Sequence, residues 1–314
     1  MRYDISVIIP TYNNSKTIKR CVESIKNNGI NTQIIIINDG SIDNTINILN
    51  EFDDVELINL DYNHGVSFSR NIGINKIKGE YFTFLDADDY LEENTYEILL
   101  KNARENNLDI CGCNYFQISK NKIKSKYCYD EKILNNSNLM KVVFTDKISL
   151  VVWDKIYRTK KYKHLFFNEN LKINEDYDYS IRCFNITDRA MFLNLYLYNY
   201  FKNNESLTNN YTCLQIKEND YIKYLEKNVK DYPEYYFFKC MNNLKKLHLY
   251  SKCIDIENRY IYIKENINRN ELKELLKYDL SITTKIEIFI FLRNIKFHLF
   301  LYPIYQLVKN IVRR

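Results

Sequence analysis

Three carboxylates, Asp86, Asp88 and Asp89, follow directly on an apolar, aromatic run in YFTFLDADDYL (Tyr81 to Leu91). Tyr81, Phe82, Phe84 and Leu85 have the β-favouring character of a buried strand. Acids at the carboxyl end of such a strand stand where open α/β sheets bind their ligands. Along an extended chain, residues two apart face the same side, which directs Asp86 and Asp88 together. Two carboxylates that close repel one another unless something positive lies between them. A hard divalent cation with oxygen ligands, shared with a substrate phosphate, meets that need. The plainer alternative is an acidic turn that caps the next helix. A further acidic pair, Glu175 and Asp176, opens a helical pattern much later in the chain. On its own it complements a helix dipole; as chemistry, it offers a base well separated from the first cluster.

The elements that must position these groups alternate regularly. Apolar strands are expected over Ile5 to Ile9, Gln33 to Ile37, Val55 to Asn59, Tyr81 to Leu85 and Leu108 to Phe116. Between them lie helical patterns: Ile18, Val22 and Ile25 after an N-cap at Ser15; Ile46, Leu49 and Phe52 after Asp43 or Asn44; Val66 to Lys78; and Glu93 to Asn106. Such alternation predicts an α/β fold with a mostly parallel sheet. Polar residues gather where strands end, at Thr11 to Asn14, Asn38 to Ser41, Asn63 to Gly65 and Asp86 to Asp89. Four loops on one rim of one sheet are the expected ligand site. Beyond about Tyr115 the pattern loosens into a hairpin over Ile118 to Cys128, a helix over Ser137 to Phe144, a short mixed stretch at Trp153 to Tyr157 and an aromatic strand at Met191 to Phe201. From Tyr211 onward periodic Leu, Ile and Tyr predict helices and no further sheet, which places a domain boundary between residues 210 and 211.

Bulk properties narrow the classes. A 314-residue chain with 46% hydrophobic and 15% aromatic residues builds a substantial core, so general disorder is excluded. A net charge of +5 permits an anionic partner, but no dense basic run precedes the far C-terminus, which argues against nucleic-acid binding. Met1 to Asp4 leads straight into a strand without a signal peptide, so the 8 Cys are expected as free thiols in a reducing cytoplasm. Cys111 and Cys113 read as small core residues. Residues 282–314 mix Ile, Phe, Leu and Tyr with Arg293, Lys296, His298, Lys309, Arg313 and Arg314. No uncharged run there is long enough to span a membrane. The segment suits a helix in an anionic membrane interface, or one packed on its own domain or on a dimer partner.

Taken in order, ISVIIPTYNN (Ile5 to Asn14), IIINDGSIDNT (Ile35 to Thr45), NHGVSFSRNIGI (Asn63 to Ile74), GEYFTFLDADD (Gly79 to Asp89) and NEDYDYSIRC (Asn174 to Cys183) resemble the family-2 inverting glycosyltransferases. The resemblance covers about the first two-thirds of the chain and implies a GT-A fold, a Rossmann-like nucleotide-sugar domain, over 1–210. It implies a UDP-sugar donor and a glycan or lipid-linked acceptor at the cytoplasmic membrane face, in surface polysaccharide or cell-wall glycan synthesis. Asp86, Ala87 and Asp88 match the family's DxD motif, with Asp88 on Mn²⁺ or Mg²⁺ and Asp86 on the ribose or beside the metal. Pro10, Thr11, Tyr12, Asn13, Asp39 and Asn63 fall in the segments around the nucleoside, and Arg70 near the uridine or diphosphate. Asp176 takes the place of the catalytic base, with Glu175 supporting the acceptor site. Trp153, the only Trp, fits either the core or an acceptor platform; Lys155 is a weaker candidate for substrate contact, and His64 reads as a loop residue. In one departure, Phe201 and Lys202 stand where relatives carry an arginine. Two other classes compete. A haloacid-dehalogenase-type phosphohydrolase would carry a similar aspartate pair, usually on its first strand. A non-catalytic sugar-nucleotide-binding scaffold would recruit partners, or form oligomers, through the C-terminal helices.

Overall fold

The structure is a computed structural model. It describes residues 3–118, 122–125, 127, 129–144, 147–171 and 174–201, with a few helical residues beyond 234. The chain divides into two compact units, Met1–Asn210 and Tyr211–Arg314. The sheet and the acidic residues singled out above all belong to the first unit. The expected helices and basic tail of 211–314 fall almost wholly outside the described residues, as does Lys202.

The elements run β1 (Ile5–Thr11), α1 (Ile18–Lys26), β2 (Thr32–Asn38), α2 (Thr45–Leu49), β3 (Val55–Asn59), α3 (Val66–Lys76), β4 (Tyr81–Phe84), β5 (Tyr90–Leu91), α4 (Thr95–Glu105), β6 (Ile110–Ile118), β7 (Lys122–Lys124), α5 (Asn136–Phe144), β8 (Lys155–Arg158), α6 (Thr159–Tyr162), α7 (Glu175–Asn185) and β9 (Ala190–Phe201). One nine-stranded sheet collects them in the order β3-β2-β1-β4-β8-β6-β9-β5, with β7 on β6. Strands β1 to β4 are parallel, because the helix after each of β1, β2 and β3 carries the chain back to the sheet's starting edge. Beyond β4 the sheet is mixed: β8 runs antiparallel to both β4 and β6, while β9 is parallel to β6. Strand direction there depends on long-range pairing, which local periodicity does not encode.

The β-branched runs of β1 and β2 are buried because helices cover both faces of this parallel half. On one face, α1 presents Ile18, Cys21, Val22 and Ile25, spaced to form a single stripe, to Val7, Ile9 and Leu85. Each such burial stabilises by about 1.5–3 kcal/mol. On the other face, α3 lies against β1 so closely that a Cβ on Gly73 would come within 2.4 Å of Ile8 Cγ2. Helix α1 begins at Ile18 with Thr17 at its N-cap, not with Ser15. The Ser15 N–H instead donates to Asp43 Oδ2, at 3.1 Å. Cys21, Cys111, Cys113 and Cys183 are free and buried.

Candidate active site

Parallel β1 to β4 deliver their four exit loops to one edge of the sheet, where the sequence pattern places them. Those loops are tied to one another. The Asp39 N–H donates to Thr11 O at 2.9 Å, Asn13 N–H to Ser41 Oγ at 2.9 Å, and Ile42 N–H to Asn13 Oδ1 at 2.9 Å. Asn13 adopts the left-handed region, φ +56, as an Asn readily does. Thr11 Oγ1 and the Tyr12 N–H both reach Asn14 Oδ1. Asp43 accepts N–H bonds from Thr45 and Ser15; these outweigh its burial and hold its carboxyl down at about 2. Gly40 is in the left-handed region at φ +71, and a Cβ there would lie 2.6 Å from the Tyr62 backbone, so only glycine lets β2's exit loop seat against β3's.

Asp39 is almost fully buried. Its two oxygens accept the N–H groups of His64 and Gly65, each at 2.8 Å. It therefore anchors the loop that starts α3. Tyr12 and Asn63 are exposed on this rim, and Pro10 is half-buried. His64 is a loop residue, as expected, but an ordered one. Its ring is stacked between Tyr62 (4.0 Å) and Phe68 (4.4 Å).

The acidic stretch departs from the extended geometry expected of it. Strand β4 ends at Phe84, and Asp86 to Asp89 form a turn closed by the Asp89 N–H to Asp86 O bond of 3.0 Å. Asp86 and Asp88 therefore do not share a strand face, and each has its own setting. Asp86 Oδ1 accepts from Arg70 Nη2 at 2.9 Å. Asp88 is half-buried, and Arg20 Nη2 bonds its carbonyl oxygen at 2.7 Å rather than its carboxylate. Burial, and then the charge of Asp86, push the Asp88 carboxyl up to about 6. Asp89 is fully buried, and its two oxygens accept Tyr198 Oη–H and the Phe201 N–H, both at 2.6 Å.

Arg70 is the connector that the sequence did not reveal. It projects from α3, is 4% exposed, and bridges Asp86 on the turn to Glu175 Oε1 (3.0 Å) at the start of α7. Its guanidinium lies over the Phe167 ring at 5.2 Å. Burial opposes its charge, but Asp86, Glu175 and Asp176 outweigh that and raise its pKa. Both Nη1 and Nη2 of Arg70, the residue expected near the uridine or diphosphate, are engaged by protein carboxylates, so Arg70 ties the acidic turn to the start of α7. Next to it, Asn71 fixes the segment before α7, accepting the Phe167 N–H at 2.7 Å and donating to Phe167 O and Glu169.

Asp176 thereby enters the same cluster as the turn. Burial, and then Glu175, push its carboxyl up to about 8, with Asp86 adding to the rise and Arg70 opposing it. Its Oδ1 accepts its neighbour's N–H, from Tyr177, at 2.9 Å. Asn174, which precedes α7, is left-handed at φ +58, which turns the chain sharply before this acidic helix start.

Trp153 is 7% exposed, stacked on Tyr198 (4.1 Å) and Tyr200 (5.6 Å) with Tyr115 edge-on at 4.8 Å. Of the two roles open to it, the structure gives it the core one; the half-buried rings of this group are Tyr115 and Tyr200. Lys155 is buried inside the sheet domain. It is 1% exposed, paired with Asp154, and its Nζ donates to Val151 O at 2.7 Å.

The residues present suit a divalent cation. Besides burial, the charges of Asp86, Asp88 and Glu175 raise the pKa values of their neighbours Asp88, Asp89 and Asp176, and a bound cation would relieve that repulsion. Among the described residues no three His, Cys, Asp or Glu side chains converge on one point. A cation here would complete its shell from phosphate and water, as Mg²⁺ does at carboxylate–phosphate sites.

A doubly covered parallel sheet with an acid cluster at its carboxyl edge defines an α/β enzyme that works on a ligand held across its strand ends. Residues 6–168, over half the chain, match the model of glycosyl transferase family 2, and the protein belongs to that family. Among its relatives, glycosyltransferase GlyA of Streptococcus pneumoniae is 30% identical over 210 residues, covering 62% of this chain and 30% of GlyA. The poly(ribitol-phosphate) β-N-acetylglucosaminyltransferase TarP of Staphylococcus aureus is 30% identical over 202 residues, 56% of this chain and 62% of TarP. The matched stretch thus spans less than two-thirds of either relative. Crystallised S. aureus TarS 1-349 with UDP-GlcNAc superposes with a TM-score of 0.75 at 17% identity, covering 96% of this chain and 91% of that one, and supports the GT-A fold. Family membership leaves the phosphohydrolase and scaffold readings without support, and the aspartate pair indeed follows the fourth strand, not the first.

Proposed function

We propose that the protein transfers a sugar, with inversion, from a UDP-sugar to a hydroxyl of a glycan or lipid-linked acceptor. The observation that carries this reading is the Asp86–Arg70–Glu175 bridge, which sets Asp176 and the turn into one electrostatic unit although they are far apart in sequence. TarS has been crystallised with UDP and with UDP-GlcNAc, and TarP is named for a β-linking sugar transfer to a polymer; both support a nucleotide-sugar donor and a polymeric acceptor.

Each residue then has a task. Asp88, and Asp86 beside it, would hold Mn²⁺ or Mg²⁺ against the donor's diphosphate, where the cation neutralises the charge of the leaving group. Tyr12, Asn13 and Asn63 line the nucleoside end of the rim. Asp39 holds the loop on which that end rests. The attacking hydroxyl is a weak acid, so a carboxylate must accept its proton during attack. Asp176 suits that step: a carboxyl raised to about 8 is a stronger base than an ordinary aspartate. Glu175, fixed by Arg70, holds the start of α7 in place. A proton acceptor on the far side of the sugar carbon from the leaving diphosphate gives inversion. A lipid-linked acceptor would bring the enzyme to the cytoplasmic face of the membrane; among the described residues no helix is long and apolar enough to cross it.

The test is donor turnover by the purified protein over a panel of UDP-sugars, with and without Mn²⁺. Expected are UDP release that needs the cation, loss of that dependence in Asp88→Asn, and, in Asp176→Asn, UDP binding without transfer. Failure of the wild type to bind UDP under any cation would sink the proposal.

A further inference from the structure

Besides Arg70, the acidic turn is held by a residue that the proposed chemistry does not use. Tyr198 lies on β9, whose register places it against Leu91 of the short strand that follows the turn. It is 1% exposed. Its hydroxyl donates to Asp89 Oδ2 at 2.6 Å and lies 3.5 Å from the Asp86 N–H, so one phenol oxygen touches both ends of the turn. Three residues further along β9, the Phe201 N–H takes the other Asp89 oxygen at 2.6 Å. The face of the Tyr198 ring is covered by Trp153 at 4.1 Å with the planes 19° apart, and Tyr200 stacks on the same indole. Trp153 is in turn fixed by its chain neighbours, because Asp154 and Lys155 form a buried ion pair and Lys155 Nζ caps Val151 O.

This is a continuous path of contacts from a buried ion pair, through a stacked indole and phenol, to the backbone and side chain of the turn. The turn needs such support. Three acids in four residues repel one another, and among the described residues no guanidinium bonds the Asp88 carboxylate to hold it. A group that carries a metal ligand works only when supporting residues lock its geometry.

We propose that Tyr198 is a positioning residue for the donor site: its hydroxyl sets the Asp86–Asp89 turn in the geometry that receives the cation and the nucleotide diphosphate. The inference rests on reading that turn as the donor site. Tyr198 touches no reacting atom. Its contribution is to keep Asp88 from relaxing away from Asp86, and Trp153 keeps Tyr198 from rotating out of reach. Because Trp153 is the sole tryptophan, its fluorescence reports on the same stack that supports the turn.

The test compares wild type, Tyr198→Phe and Tyr81→Phe. Tyr81 supplies a matched control. Its hydroxyl is also buried and bonded, to Leu108 O at 2.9 Å, but at the opposite end of β4. Calorimetric titration with UDP, with and without Mn²⁺, gives affinity independently of turnover. Outer-shell hydrogen bonds to metal ligands are worth about tenfold or more in affinity. Tyr198→Phe is therefore expected to weaken Mn²⁺-dependent UDP binding about tenfold, with little change in UDP binding without the cation, and to lose the tryptophan response to UDP with Mn²⁺. Tyr81→Phe should lower thermal stability while leaving UDP affinity unchanged. Equal Mn²⁺-dependent affinities in wild type and Tyr198→Phe, with both well folded, would overturn the role given to Tyr198 and leave the donor-site reading intact. Equal weakening in both variants would also overturn it, since loss of any buried phenol would then suffice. A wild type that binds no UDP would instead remove the donor-site reading itself. Should Tyr198→Phe melt too low for titration, Asp89→Ala removes the acceptor of the same bond and must show the same selective loss.

Discussion

Replacing Arg70 with methionine removes the cation shared by Asp86 and Glu175. The magnitude follows from the geometry. The Arg70 side chain is 5% exposed, while its partners are 27% and 16% exposed. Breaking a buried pair by deleting one partner costs about 3–5 kcal/mol, because the other charge stays buried and unpaired. The two carboxylates keep some access to water, which moves the expected loss to the low end, about 3 kcal/mol. For a unit of this size each kcal/mol shifts the melting temperature by about 2–4 °C, so a fall of about 6–12 °C is expected. Denaturation followed by Trp153 fluorescence reads this directly, since that residue lies in the same unit. Arg70→Lys should fall between, because an ammonium lacks the planar fork that reaches both carboxylates at once. The double variant Arg70→Met with Glu175→Gln should be less unstable than the two single losses added, with a coupling of about 1–3 kcal/mol. The same substitution has a kinetic signature. Arg70 opposes the rise in the Asp176 pKa, so its loss should move the acid limb of donor turnover to higher pH. A loss of stability below about 1 kcal/mol, or a coupling of zero, would refute the view that Arg70 holds the turn and α7 together.

Asp176→Asn should lower transfer by about a hundredfold or more, the usual worth of a positioned base, and abolish the rise of kcat/KM with pH, through about 8, that is expected of the wild type. It should also change stability in a definite direction. The native Asp176 carboxyl keeps its proton up to about 8, whereas its ordinary value is 3.8, so between these the native state binds a proton that the unfolded chain has released. That part of the stability is present at low pH and is lost as pH rises from about 4 to about 8; denaturation of Asp176→Asn across that range should show a shallower decline. Separately, Gly73→Ala should destabilise by about 1–3 kcal/mol, since the new Cβ meets Ile8 Cγ2 at 2.4 Å in a packed interface; an unchanged midpoint in urea would show that α3 can shift at no cost.

Much of this arrangement was legible in the sequence, for reasons that can be named. Runs such as IIII in β2 and the Ile18, Val22, Ile25 stripe of α1 carry their structure in local periodicity. Alternation of such runs fixed the parallel half, and with it the gathering of four exit loops on one edge. Asp176 was placed in the site only through the ordered set of motifs, because an acid at a helix start has an equally good local explanation. What stayed hidden is long-range. Arg70 and Glu175 are 105 residues apart, and Tyr198 and Asp89 are 109 apart. No spacing rule connects them. One signal was present: α3 buries Ser67, Ser69, Arg70 and Asn71 together, and a polar helix face that packs inward must find polar partners.

The two ends of the site differ in the same way. At the rim formed by the exit loops of β1 and β2, the side-chain oxygens of Asn13, Asp39 and Ser41 accept backbone N–H groups, so the rim's shape follows the chain path and shows as a sequence motif. Around Asp176, the neighbours come from α3, α7 and the segment around Phe167, joined by side chains of Arg70 and Asn71. There the geometry is set by which side chains meet, and small changes in the surrounding residues alter it without disturbing the sheet. Trp153 is a case in point. Its residue type suits core and substrate equally, and only its stack on Tyr198 and Tyr200 assigns it to the support of the acidic turn. A rim in which short polar side chains hold backbone N–H groups is therefore written in local motifs, whereas a cluster of paired side chains is written in contacts that only the folded chain brings together.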